Sequence, residues 1–298
     1  EPRGQSPHSF EAEARRRQDP KLPWHMPFDG LATLQASQPV RELREPVGHA
    51  VRMMYLLAAM IDLAREQNDA ALAAQTRELW QAITTRHLYL TGGVGTEPYG
   101  EKFCEPFDLP PDRAYAETCA AIGVVICARR LLDAGLDGAV ADVMERALYN
   151  NVLSGLALDG RTYFYVNPLE LVPAVAKRRY ECHLVKTQRV PWFGCACCPP
   201  NVARLVASLG DYAFSRTPDG LAVHLYAGGE TRFETNGVTV KLEIATEYPW
   251  RERIEIKVQP AAPVAFGLRL RLPGWCRSPW LKLNGQPLTP DVERGYAV

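Results

Sequence analysis

Tyr115-Ala116-Glu117-Thr118-Cys119-Ala120-Ala121-Ile122-Gly123-Val124-Val125-Ile126-Cys127-Ala128-Arg129-Arg130-Leu131-Leu132 is apolar on nearly every side, until Asp133-Ala134-Gly135 stops it and Gly138 to Leu158 resumes a helical period. A run that is apolar all round belongs to a buried helix rather than to one lying on a surface. Upstream, Arg41 to Gln67 places Val47, Val51, Met54, Leu57 and Ile61 at helical spacing, and a second helical pattern runs from Ala70 to about Leu88. Successive pairs of long helices with short links, one buried and one amphipathic, are the grammar of an α/α toroid and equally of a helical bundle. Residues 1 to 40, broken by six prolines around a polar helical stretch from Phe10 to Arg17, read as a lead-in with little core of its own.

After Tyr212 the pattern changes to period two, in Leu221 to Tyr226, Val238 to Ile244, Ile254 to Val258 and Leu268 to Leu272. Apolar residues alternating with charged ones give each strand one buried and one wet face, which predicts an antiparallel β-sandwich. The expected architecture is therefore a helical domain over residues 1–213 followed by a sandwich over 214–298. The chain starts at Glu1 rather than a Met and ends on strand-like sequence, so it reads as a fragment of a longer polypeptide.

The 34 basic and 34 acidic residues cancel, which leaves no global field to gather polyanions, so no nucleic-acid partner is expected. No run of eighteen apolar residues is present to span a bilayer. Eight cysteines are spread over the chain, and three of them, Cys195, Cys197 and Cys198, fall within four residues. Adjacent cysteines pair only through a strained ring, whereas adjacent thiolates readily share one soft cation. Reduced, closely spaced thiols also fit a cytoplasmic setting better than an oxidising one.

Two irregular stretches, residues 90 to 114 and 159 to 200, are long enough to be functional loops, the second relieved by a short strand-like Tyr163-Phe164-Tyr165-Val166. The second ends in Cys195-Ala196-Cys197-Cys198-Pro199-Pro200-Asn201, ahead of a helical stretch from Val202 to Tyr212. Thiolates at a helix N-terminus gain from the dipole and from free N–H groups. Thiolate-rich zinc sites take four ligands, and Glu117 with Cys119, at the start of the buried helix, are the best recruits from elsewhere. Glu101, on the first loop, is a candidate general acid/base, with Glu97 and Glu105 as rivals that spacing leaves open. His49 falls inside an apolar helical pattern, where a lone histidine is more often core than ligand. Glu145 can face solvent or bind a sugar, and Tyr165 and Asn167 suit polyols as well as strand packing. Thr91-Gly92-Gly93-Val94-Gly95 lacks the context of a phosphate or dinucleotide loop and reads as a flexible loop.

Thr91-Gly92-Gly93-Val94-Gly95, Gly100-Glu101, Ala116-Glu117-Thr118-Cys119-Ala120, Phe164-Tyr165-Val166-Asn167-Pro168-Leu169 and Cys195 to Arg204, in this order, resemble the family 127 glycoside hydrolases, the β-L-arabinofuranosidases. The similarity runs from Arg3-Gly4-Gln5 through Val47 to Arg52 to Leu272-Pro273-Gly274-Trp275. The resemblance implies an (α/α)6 barrel followed by β-sandwich modules, the barrel here lacking N-terminal helices and the sandwich stopping short. It further implies a Zn2+ ion held by Glu117, Cys119, Cys197 and Cys198, with Cys197 as nucleophile, Glu101 as acid/base, and His49, Glu145 and Tyr165 lining the sugar pocket. A retaining hydrolase of terminal β-L-arabinofuranosyl groups or related sugars, acting on small carbohydrates, is the expected function. The alternatives are a hydrolase using two carboxylates, and a non-catalytic carbohydrate-binding or scaffold protein in which zinc only staples two loops. Oligomeric state is open, a homodimer being one option.

Overall fold

A computed structural model describes residues 30–298, together with residue 12 and residues 15–18. The helical stretch expected over 10–17 lies largely outside the described residues. The chain divides into two compact units, Glu1–Arg130 with Arg146–Ala203 and Leu131–Glu145 with Arg204–Val298. No helix among the described residues is long and apolar enough to cross a membrane.

In the first unit, α1 (Ala50–Glu66) and α2 (Ala70–Arg86) form the first helical hairpin. Asp69 caps α2 by accepting the Leu72 N–H at 2.9 Å. Met53, Met54, Leu57, Met60 and Ile61 make the buried stripe of α1, and α3 (Thr118–Ala134) closes on that stripe. The close approach depends on Gly123, where a Cβ would stand 2.5 Å from Met54 Cβ. The Cys127 thiol donates to the Met54 carbonyl at 3.0 Å, and Arg130 Nε pairs with Asp62 at 2.7 Å, so the same helix pair is also tied by polar contacts.

His49 is not inside the first helix, as its apolar neighbours led us to expect, but at the N-cap of α1. The cause is Gly48, whose φ of +65° is non-helical backbone that glycine permits, and a Cβ there would in addition collide with the Ala32 carbonyl oxygen. The Thr91–Gly95 segment is buried almost throughout rather than loose. Its glycines allow close approach: a Cβ on Gly92 would meet the Ala147 backbone and one on Gly93 the Asn151 side chain, each at 2.6 Å. Tyr163 to Val166 makes only isolated bridges, Tyr163 with Leu156 and Val190 and Val166 with Glu117.

Helix α4 (Gly138–Ala147) runs into a π-helical turn, Leu148–Leu153; α5 (Pro173–Ala176), α6 (Cys198–Ala207) and α7 (Gly210–Ala213) follow. The strands are β1 (Phe214–Thr217), β2 (Gly220–Val223), β3 (Gly229–Thr235), β4 (Val238–Thr246), β5 (Ile254–Pro260), β6 (Gly267–Arg271), β7 (Leu281–Leu283), β8 (Gln286–Leu288), β9 (Val292–Glu293) and β10 (Tyr296–Ala297). They form a five-stranded sheet, β1-β2-β6-β10-β9, a three-stranded sheet, β3-β4-β5, and the β7-β8 ribbon. Pairing is antiparallel except between β2 and β6, which run parallel with Gly220 opposite Gly267. Leu221 and Val223 of β2, Phe233 of β3 and Val240, Leu242 and Ile244 of β4 bury one apolar core, against which Leu268 and Leu270 of β6 pack.

The second unit also holds a fully buried cation. Arg271, at the end of β6, pairs with Asp142 at 2.5 Å and with Glu145, both on α4, and donates through Nε to the His224 carbonyl at 2.6 Å. Tyr248 and Trp275 donate to the two oxygens of Glu145 at 2.7 and 3.3 Å. A buried charge is tolerated only when it is paired and its donors are satisfied, and removing one partner strands the other. Glu145→Ala is therefore expected to cost about 3–5 kcal/mol, read as a fall in the urea unfolding midpoint. A loss below about 1 kcal/mol would refute this structural role.

Candidate active site and metal centre

The first unit brings two helix N-termini to one place. Glu117 directly precedes α3, where Thr118 N–H donates to the Tyr165 carbonyl at 2.9 Å and Thr118 Oγ1 to the Phe164 carbonyl at 2.8 Å. Cys119 is the second residue of that helix, and Cys198 is the first residue of α6, with Cys197 just before it. Pro199 and Pro200 then fill the first turn of α6, where missing N–H groups cost nothing. The thiols at both N-termini, and the Glu117 carboxyl at that of α3, stand at the positive ends of the helix dipoles.

The four groups converge, their ligand atoms all within 4.8 Å of one another. Cys119 Sγ lies 3.4 Å from Cys197 Sγ and 3.5 Å from Cys198 Sγ, and Glu117 Oε1 lies 3.2 Å from Cys197 Sγ and 3.7 Å from Cys198 Sγ. Cys195 is exposed and outside this group. Burial, then the neighbouring Glu101 and Cys197, push the Glu117 carboxyl well above the usual carboxylate range. Hydrogen bonds from Cys119 and Cys198 hold the Cys197 thiol well below its ordinary value despite burial, with a smaller contribution from the Tyr165 hydroxyl. Four acidic groups thus share one dry space, in which without a cation they must keep most of their protons.

Glu117 also belongs to a second cluster, with Glu101. His49, Glu101 and Glu117 offer ligand atoms that also lie within 4.8 Å of one another. His49 Nε2 is 2.6 Å from Glu101 Oε2, and the Tyr115 hydroxyl donates to Glu101 Oε1 at 2.7 Å. Burial alone would raise the Glu101 carboxyl, but these two hydrogen bonds and the His49 charge outweigh it, and the net shift is downward. The Tyr115 phenol is pushed far up, by burial and then by the Glu101 charge, so it stays a donor. Glu101 itself has φ +52° and Ala116, next to Glu117, φ +39°. Non-glycine residues in this left-handed region are uncommon and cluster at functional sites.

Of the residues singled out from sequence, Glu117, Cys119, Cys197 and Cys198 come together, His49 and Glu101 join them through Glu117, and Tyr165 packs in one apolar cluster with Cys119, Cys197 and Cys198. Glu105 is exposed, and Glu97 Oε1 is taken by the Tyr99 N–H at 3.0 Å. Asn167 donates to the Ala116 carbonyl and to Thr118 Oγ1, which braces the turn before α3. Glu145 lies in the second unit, where both its oxygens accept protein donors. Tyr115 was missed: its bond spans fourteen residues of irregular chain, and its only signal in the sequence is its place two residues before Glu117.

Comparison with known proteins gives this arrangement a context. The β-L-arabinofuranosidase GH127 catalytic-domain profile matches residues 8–211, and the GH127 middle-domain profile matches residues 220–298. The chain belongs to glycoside hydrolase family 127. This family 127 chain is 36% identical over 300 residues to the non-reducing end β-L-arabinofuranosidase of Bifidobacterium longum subsp. longum, a match covering 99% of the chain and 45% of that protein. It superposes with TM-score 0.91 on the crystal structure of a GH127 β-L-arabinofuranosidase from Geobacillus stearothermophilus T6, at 45% identity, over 99% of the chain and 46% of that one. A further GH127 β-arabinofuranosidase structure aligns with TM-score 0.81 and 36% identity, over 89% of the chain and 43% of its own. The family 127 chain thus spans less than half the length of these relatives.

The cluster fits a bound metal on its own geometry. Glu117 Oε2 is buried with no hydrogen-bond partner among the described residues, a cost that coordination would remove. The sulfur separations approach the roughly 3.8 Å edge of a tetrahedron with metal–sulfur bonds of about 2.3 Å. Three thiols and one carboxylate make a soft donor set. Glu117→Gln and Cys119→Ser are each expected to cut bound divalent metal from about one ion per chain to a small fraction, measured by plasma mass spectrometry after dialysis. Undiminished metal in both variants would refute the assignment of the site.

Proposed function

We propose that the intact protein to which this chain belongs is a retaining glycosidase that releases terminal β-L-arabinofuranosyl or related groups from small carbohydrates. The observation that carries this reading is that Glu117 is shared by two clusters, one containing Cys197 and the other a Glu101 carboxyl that is hydrogen-bonded on both oxygens. Retaining hydrolysis needs a nucleophile facing the anomeric carbon and a proton donor near the departing oxygen. A thiolate takes the nucleophilic role here in place of the usual carboxylate.

In the first step Cys197 Sγ attacks the anomeric carbon, a C–S bond forms as the glycosidic C–O bond breaks, and Glu101, which is held low in the sugar-free site and must take up a proton as the sugar binds, gives that proton to the departing oxygen. In the second, the Glu101 carboxylate takes a proton from water as that water attacks the same carbon and the C–S bond breaks, which returns Cys197 to a thiolate and Glu101 to its acid form. Zinc, when held by Glu117, Cys119, Cys197 and Cys198, would supply the positive charge that keeps the thiolates deprotonated at neutral pH. His49 and Tyr165 line the sugar side of this site. The reading includes an (α/α)6 barrel completed by chain outside these residues, with a catalytic part over 1–213 and a sandwich over 214–298. Free, closely spaced thiols support a reducing, cytoplasmic setting.

Cys197→Ser in the intact protein is expected to abolish turnover of an aryl β-L-arabinofuranoside while leaving the melting temperature near that of the parent. Glu101→Gln should lower kcat/KM by roughly 10²–10⁴-fold. Full activity in Cys197→Ser would overturn the assignment, and retained sugar binding without hydrolysis in the parent would favour a binding protein instead.

A further inference from the structure

Glu101 sits on irregular backbone with φ +52°, so no helix or strand orients its side chain. Its main chain is fixed, because its carbonyl accepts the Ala50 N–H at 2.8 Å at the start of α1. The carboxyl group, three torsions further out, is fixed by two contacts of unlike chemistry. On Oε2 stands an imidazole nitrogen of His49, which can donate or accept, and whose other nitrogen, Nδ1, is buried with no partner among the described residues. On Oε1 stands the Tyr115 hydroxyl, whose hydrogen points to that oxygen.

Tyr115 is itself immobile. It is 4% exposed, its N–H donates to the Thr96 carbonyl at 3.2 Å, its carbonyl accepts the Asn167 N–H at 3.2 Å, and its ring meets that of Tyr165 edge-on at 6.4 Å. It also belongs to the segment that carries Glu117 two residues later, and Glu117 contacts Cys197. The Tyr115–Glu101 bond therefore registers the proton donor against the nucleophile, a separation on which retaining hydrolysis depends.

We propose that Tyr115 is a positioning residue for Glu101, holding Oε1 as a standing acceptor so that Oε2, on the His49 side, is the oxygen that gives and takes the proton. This rests on the reading of Glu101 as acid/base. As the glycosidic C–O bond breaks, Oε2–H passes its proton to the departing oxygen and Oε1 keeps accepting from Tyr115; in the second step Oε2 takes a proton from the attacking water. Tyr115→Phe keeps the ring and removes only the hydroxyl.

The test compares kcat/KM in the intact, metal-loaded protein on two substrates, a disaccharide whose leaving group needs a proton and a dinitrophenyl arabinofuranoside whose leaving group does not. Tyr115→Phe is expected to lower kcat/KM on the disaccharide about 10- to 100-fold, the range for one hydrogen bond to a charged group, and on the dinitrophenyl glycoside less than about twofold. Metal content and melting temperature should match the parent. Equal losses on both substrates, or no loss on either, would overturn the proposal. Glu101→Gln is the control: if it lacks the same leaving-group dependence, the acid/base reading fails and this proposal with it, whereas if Glu101→Gln has the dependence and Tyr115→Phe does not, only the role of Tyr115 falls.

Discussion

Three thiols and a carboxylate cannot occupy a space a few ångströms across while all are ionised and dry. The first unit is organised around that constraint. Glu117 and Cys119 arrive at the N-terminus of α3, Cys197 and Cys198 at that of α6, and each helix offers a positive dipole end where negative charge collects. What the dipoles leave uncompensated falls to protons or to a cation. The unpartnered Glu117 Oε2 marks where the compensation is incomplete within the protein alone. Interior packing then follows from placing α3: Gly123 lets it close on α1, and the buried stripe of α1 ends at the turn where Gly48 and His49 meet the Glu101 loop.

The loop from residue 90 to 114 is held by its backbone together with a small apolar cluster, in which Leu109 packs against Tyr89, Ala114 and Ala116. Lys102 N–H donates to Glu97 and its carbonyl accepts from Thr96, Phe103 N–H donates to Gly48, and Ala116 N–H donates to Gly95. These bonds accommodate left-handed backbone at Glu101 and Ala116, a strain that surrounding structure must over-determine to persist. Rigid placement in an irregular segment is what a proton-transfer group requires, since an error of about 1 Å can cost on the order of 10²-fold in rate.

Much of this was legible in the sequence where a periodicity or a local cluster carried it. The helical spacing of Met54, Leu57 and Ile61 and the alternation in β4 survive in the structure, whereas β5 keeps it only at Ile254 and Ile256, with Val258 exposed, and β2 is buried on both faces. Glu117 and Cys119 were placed at a helix start, and the Cys197-Cys198 pair ahead of another. What could not be read was whatever depended on contacts distant in sequence. The apolar neighbours of His49 suggest a helix there, and only the left-handed backbone of Gly48, set by its packing against Ala32, shows why the helix starts after it. Strand β3, with Phe233 and Thr235 alone buried, offers too little alternation to be seen, and the parallel pairing of β2 with β6 follows from topology rather than residue pattern. The Tyr115–Glu101 and Arg271–Glu145 bonds join residues whose separation no local rule encodes.

The Arg271 cluster makes the second unit discontinuous along the chain, entering once as residues 131–145 and again from residue 204. The strands hold the cation and α4 holds its two counter-ions. A recombination event that exchanged only the contiguous C-terminal segment would carry a buried guanidinium away from both carboxylates and leave two carboxylates behind without their cation. The inherited block is helix and sheet together. Changing position 142, 145 or 271 alone strands a buried charge, so a cut between helix and sheet at the point where the sequence pattern changes would separate the ion cluster from itself.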